Sequence, residues 1–158
     1  MNPQKQMLPV ASALILLSYG LDASAGEPRN QVSYNTVQIE DVSVFYRQAG
    51  LKSAPTILLL HGFPSSSHMF RDLIPELAEN YRVIAPDYPG FGQSSAPDAK
   101  TYDYDFAKLS ETIAAFTEKL EMPSYTLFMQ DFGGPVGFRL AQANPEKVDG
   151  IVIQNATV

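Results

Sequence analysis

An open α/β sheet, entered by an antiparallel hairpin and continued by parallel strands with crossover helices, is the fold class that the sequence predicts. The stretches Thr56–Leu60, Tyr81–Ala85, Tyr125–Met129 and Gly150–Ile153 are mostly unbroken apolar runs, the pattern of strands covered on both faces. Helical patterns separate them and supply the crossovers that parallel pairing requires. Ahead of them, Thr36–Ile39 and Val42–Tyr46 flank Glu40-Asp41 and read as two strands of a hairpin.

In chain order, Met1 to Gln6 carries a single cation, Lys5, and precedes the uncharged stretch Met7 to Leu21. Ala23-Ser24-Ala25 then places small residues where signal peptidase accepts them, so residues 1–25 read as a secretory signal cleaved before Gly26. Pro9 and the shortness of the apolar stretch argue against a bilayer span, so no stable membrane span is expected after cleavage. The expected localisation is periplasmic or secreted. Residues 26–158 are expected to form one partial core domain. The first helical segment sets Met69, Phe70, Leu73, Ile74 and Leu77 on one face, and Pro75 is expected to divide it into two short pieces. The second places Phe106, Leu109, Ile113, Phe116 and Leu120 at spacings of three and four, one apolar stripe for the sheet. In the third, Gly133, Gly137 and Ala141 recur every four residues, a smooth ridge for close approach.

Composition narrows the function classes. The 158 residues allow a real core but only one domain. Eleven basic against 17 acidic residues give a net charge of -6, which removal of Lys5 and Asp22 with the signal leaves unchanged. No basic face forms, so nucleic acid is not an expected partner. With no cysteine there is no disulfide, thiolate nucleophile or sulfur-ligated metal, and His61 and His68 alone are too few for most zinc sites. No metal and no cofactor are expected.

In open α/β sheets chemistry collects at the carboxyl ends of the strands. The loops there are His61-Gly62-Phe63-Pro64, Asp87-Tyr88-Pro89-Gly90-Phe91-Gly92-Gln93-Ser94, and Met129-Gln130-Asp131-Phe132-Gly133-Gly134, the last turning from strand to helix with almost no loop. In order, strand context and separation these loops resemble the α/β-hydrolase fold family, in particular its epoxide-hydrolase and haloalkane-dehalogenase-like branch. The resemblance covers about Thr36 to Val158. It implies that Asp131 stands at the nucleophile elbow, a sharp turn that lifts one side chain above the sheet. A carboxylate is ionised at neutral pH, so it can attack an alkyl carbon directly and form an enzyme ester. The resemblance further implies that the backbone N–H groups of Phe63 and Phe132 form the oxyanion hole. Met129 stands where a small residue is expected, and Gln130 where that branch commonly has histidine.

Other readings of these residues compete. Asp131 could simply cap its own helix through Gly134 and Pro135. His61 is expected to shape the loop behind the oxyanion hole rather than act as a base, and His68 to lie on the surface among Ser65, Ser66 and Ser67, serines that cap the helix. Pro64 is compatible with a cis or a trans bond. The loop from Asp87 to Ser94 is expected to be scaffold, because it lacks the lysine and helix start of a phosphate loop.

The family continues with a cap and two more strands that carry the acid and the water-activating histidine, whereas this chain stops at Val158. The expectation is therefore a truncated hydrolase, able at most to be alkylated, with its last strand an exposed apolar edge open to self-association. Within the family, the absence of tryptophan counts against dehalogenation, and the His-Gly-Phe-Pro form favours an epoxide-hydrolase-like reaction on a small apolar organic substrate. The alternatives are a haloalkane-dehalogenase-like or esterase-like hydrolase, or a non-catalytic binding or interaction protein on the same scaffold.

Overall fold

The computed structural model describes residues 29–157. The signal reading for residues 1–25 lies outside them. Strands β1 (Ser33–Ile39) and β2 (Val42–Ala49) pair antiparallel about the Glu40-Asp41 turn, with Val37 opposite Val44 and Ile39 opposite Val42. Glu40 enters the turn at φ +48, the left-handed conformation that a tight hairpin imposes. The strands β3 (Thr56–Leu60), β4 (Arg82–Pro86), β5 (Tyr125–Gln130) and β6 (Val148–Gln154) are parallel, and the six-stranded sheet runs β1-β2-β4-β3-β5-β6. The predicted architecture is present.

Strand alternation divides the core into two layers. Leu58, Leu60, Ile84, Leu127 and Met129 face one way, against Leu109, Ile113 and Phe116 of α2 (Phe106–Lys119) and Val136 and Leu140 of α3 (Gly133–Ala143). Ile57, Leu59, Val83 and Ala85 face the other way, against Phe70 and against Ile74 of α1 (Leu73–Leu77). The α2 stripe is the one its spacing predicts, and Asp105 caps the helix by accepting the Lys108 N–H at 2.8 Å.

One expectation needs correction. The first helical segment is divided, but not at Pro75. A 3₁₀ turn at Ser67–Phe70 ends, Arg71 and Asp72 intervene, and α1 then begins, so that Pro75 falls in its first turn. There the missing N–H costs nothing, because first-turn amides have no helical acceptor. Strand β6 is the exposed apolar edge that the sequence reading expects of the last strand, although its apolar run by itself resembles those of the covered strands. Ile151, Val152 and Ile153 are 44%, 44% and 56% exposed, on an edge strand paired only with β5. Successive exposed residues point to opposite faces, so neither face is covered.

The ridge on α3 acts as its spacing predicts. A Cβ on Gly133 would overlap the Leu60 carbonyl, and one on Gly137 would overlap the Met129 thioether. Met129 is fully buried and points into the core, which is how a bulky residue fits ahead of the turn. Gly133→Ala is expected to destabilise the chain by about 3 kcal/mol, because the obstructing atom is backbone and cannot rotate away; urea unfolding measures it.

Candidate active site

The carboxyl ends of β3, β4 and β5 bring the predicted loops together. At the end of β5 the chain turns directly into α3, and Asp131 sits in that turn at φ +50. A non-glycine residue there pays a steric cost of about 1 kcal/mol, which surrounding structure must hold in place. Its carboxylate does not cap its own helix. The N-cap position belongs to Phe132, which makes no side-chain cap, and the Gly134 N–H donates to the Asp131 main-chain carbonyl instead. Asp131 Oδ1 accepts the Phe63 N–H at 2.8 Å. Gly62 makes this approach possible, since a Cβ there would overlap the Asp131 side chain and the Gln130 amide oxygen. Phe132, as N-cap, keeps its N–H outside the helical ladder.

Phe63 follows Gly62 and precedes Pro64 through a cis peptide bond. Its ring is 59% exposed and stacks on Phe132 at 5.4 Å, while Phe106 meets Phe132 edge-on at 4.9 Å. Beside them opens a cleft of about 500 Å³, lined mainly by Phe63, Phe91, Tyr104, Phe106, Leu109 and Phe132. Its walls are aromatic and aliphatic, suited to an apolar guest.

His61 is fully buried and both ring nitrogens are occupied. The Tyr88 N–H can only donate, so Nε2 accepts it at 3.2 Å; Nδ1 therefore carries the proton and donates to the Gly62 carbonyl at 2.9 Å. Burial pushes its pKa below the ordinary 6.5, outweighing the Gly62 carbonyl and the charge of Asp87, which pull it up. His61 thus has no nitrogen left for a base, in keeping with the loop-shaping role expected of it. His68 is exposed, with Nδ1 3.5 Å from Arg47, and Ser66 accepts its N–H as a cap.

The loop from Asp87 to Ser94 is scaffold in fact. Asp87 is 1% exposed, and its two oxygens accept the Ser67 and Gln93 N–H groups at 2.7 and 2.8 Å. Arg47 Nη1 donates to Ser67 Oγ at 2.5 Å, tying β2 into the same corner. Sequence reasoning read this loop as scaffold without assigning Asp87 or Tyr88 a role, and passed over Arg47, which lies on β2 and carries no local signal. Tyr88 is fully buried, its ring 4.2 Å from that of His61, and its hydroxyl has no partner among the described residues. Burial, reinforced by the negative charge of Asp131, drives that hydroxyl's pKa well above 10. Among the described residues no group of three or more His, Asp or Glu converges on a metal position, and no helix is long and apolar enough to cross a membrane.

The alpha/beta hydrolase fold family matches residues 55–158, and the chain belongs to it. An uncharacterized hydrolase of Saccharomyces cerevisiae is 47% identical over 123 residues, which are 77% of this chain and 42% of that protein. A haloalkane dehalogenase of Psychrobacter cryohalolentis is 39% identical over 116 residues, 73% of this chain and 38% of that protein. Among solved structures, the haloalkane dehalogenase DbeA of Bradyrhizobium elkani superposes with a TM-score of 0.76 at 32% identity, covering 80% of this chain and 42% of that one. The chain therefore spans about two-fifths of the length of these relatives.

Two outcomes test the site's interior. An unfolded histidine takes a proton near pH 6.5 while folded His61 resists it, so stability is expected to fall as pH drops below 6.5, by up to about 1.4 kcal/mol per pH unit. In His61→Gln that slope between pH 6.5 and 5 should vanish from denaturation curves. Tyr88→Phe removes a buried hydroxyl that has no partner, so thermal unfolding should show unchanged or increased stability, by about 1 kcal/mol.

Proposed function

We propose that the chain carries the alkylation step of a hydrolase, with Asp131 as nucleophile and the main-chain N–H groups of Phe63 and Phe132 as oxyanion donors. The observation that carries this reading is the 2.8 Å hydrogen bond from the Phe63 N–H to Asp131 Oδ1, made by a side chain held in a left-handed turn and turned away from its own helix. Oδ1 then rests where negative charge would later develop, and Oδ2 is left to react, since no hydrogen bond to it forms among the described residues. An Oδ2 lone pair attacks an sp³ carbon. In an epoxide the C–O bond breaks and its electrons go to an alkoxide, which takes a proton from solvent; in a haloalkane the C–halogen bond breaks and halide leaves. Either route yields an alkyl ester of Asp131.

Hydrolysis of that ester requires water to attack the carboxyl carbon, with Oδ1 becoming the oxyanion in the hole. That step wants a general base. His61 has both nitrogens committed to main chain, and neither described histidine hydrogen-bonds to Asp131. The 158-residue chain is therefore assigned the first step alone, on a small apolar substrate lodged in the aromatic cleft.

The electrophile admits two readings. The His-Gly-Phe-Pro loop and the lack of tryptophan favour an epoxide. The likeness to haloalkane dehalogenases at 39% identity and a TM-score of 0.76 favours a haloalkane. Export directed by residues 1–25 and pairing of two copies through the bare β6 edge remain parts of the same proposal.

Intact-mass spectrometry after incubation with 1,2-epoxyhexane, and separately with 1-bromohexane, tests it. One covalent adduct per chain is expected, mapped to the peptide holding Asp131 and absent from Asp131→Asn, with no sustained release of product. Which reagent labels decides the electrophile. A folded chain labelled by neither would be a binding scaffold, and sustained turnover that survives Asp131→Asn would locate the chemistry elsewhere.

A further inference from the structure

The opposite end of the sheet holds a second cleft, of about 450 Å³, at the amino ends of β3, β4, β5 and β6. Its charged lining comes from Lys52, Arg82, Glu121 and Asp149, with Ser53 and Ser124 among its hydroxyl groups. These residues lie on the loop before β3, the start of β4, the turn between α2 and β5, and β6, so four separate segments converge there.

Arg82 is the unusual member. It is the first residue of β4 and only 5% exposed. Its main-chain N–H is satisfied by the Pro55 carbonyl at 2.9 Å, but the side-chain Nε has no hydrogen-bond partner among the described residues. Among the described residues it forms no ion pair. Burial lowers its pKa, with the nearby Tyr46 acting in the opposite sense, yet a guanidinium stays charged at any working pH. A buried cation without a partner is costly, and buried charges are normally paired. Nε itself is sealed from solvent, so what Arg82 offers the cleft is its terminal guanidinium nitrogens, whose planar fork matches a carboxylate.

The other charges narrow the guest. Lys52 adds a second cation, whereas Glu121 and Asp149 add two anions. A phosphate or a dicarboxylate would meet both acids and be repelled. A molecule with a carboxylate and an ammonium group close together answers both signs at once. We infer that this cleft binds a small zwitterion of the α-amino-acid type, its carboxylate on Arg82 and Lys52, its ammonium toward Glu121 and Asp149. The site is independent of Asp131, which stands at the other end of the strands.

Nuclear magnetic resonance on the ¹⁵N-labelled 158-residue chain tests this through the Arg82 Nε–H signal. L-alanine is the probe, with acetate and methylammonium as comparators that each carry one of its charges. L-alanine is expected to shift the signal saturably, and at least about tenfold more tightly than either comparator. Lys52→Glu, at an exposed position that folding tolerates, should weaken binding about tenfold, and in Arg82→Met, read on the backbone amide signals of Lys52 and Ser53, no saturable shift should remain. If Arg82→Met fails to fold, Lys52→Glu carries the test. No saturable shift up to about 50 mM, equal affinity for acetate and L-alanine, or unchanged affinity in Lys52→Glu would each overturn the inference.

Discussion

The turn from β5 into α3 is the constraint on which the rest depends. It is made without a loop, so one residue must adopt the left-handed conformation, and that residue is Asp131 at φ +50. The turn holds because both its sides are anchored. β5 lies between β3 and β6 in the sheet, and α3 is pinned by Val136 and Leu140 in the core. It also requires absent side chains: Gly133 lies against the Leu60 carbonyl and Gly62 against the Asp131 carboxylate. Strain of about 1 kcal/mol is thereby held by packing that a loop could not supply, and one carboxylate is displayed beside the Phe63 amide.

Around that carboxylate, the polar side chains of the neighbouring loops are spent on main chain. His61 bridges the Gly62 carbonyl and the Tyr88 amide; Asp87 holds the Ser67 and Gln93 amides; Ser94 donates to the Asp87 carbonyl at 2.7 Å. Each such bond replaces one that loop backbone would otherwise make to water, which is how three loops pack tightly over the strand ends. Functional groups that stay unspent are few, and Asp131 Oδ2 is foremost among them.

The two ends of the sheet differ in how they treat charge. At the carboxyl end, Asp131 sits partly open beside an aromatic cleft, where an apolar guest would shield it from water. At the amino end, Arg82 is buried with its Nε unpartnered among the described residues, and acids and bases share one wall. Between these ends the central strands β3, β4 and β5 form an apolar block, while the edge strands are open: β1 exposes Tyr34, and β6 exposes Ile151, Val152 and Ile153.

Sequence by itself determined the hairpin, the parallel strands, the α2 stripe and the small-residue ridge of α3, because each is written in local periodicity and composition. It also marked the elbow, since Asp-Phe-Gly-Gly directly after an apolar run leaves no room for a loop. Tertiary structure alone decided where the first helical segment breaks, because Pro75 is tolerated or not according to which turn of the helix it enters. And it decided which way the Asp131 carboxylate points, toward Phe63 from the distant β3 loop rather than toward its own helix. That choice rests on a contact between residues 68 positions apart, and no local pattern encodes it.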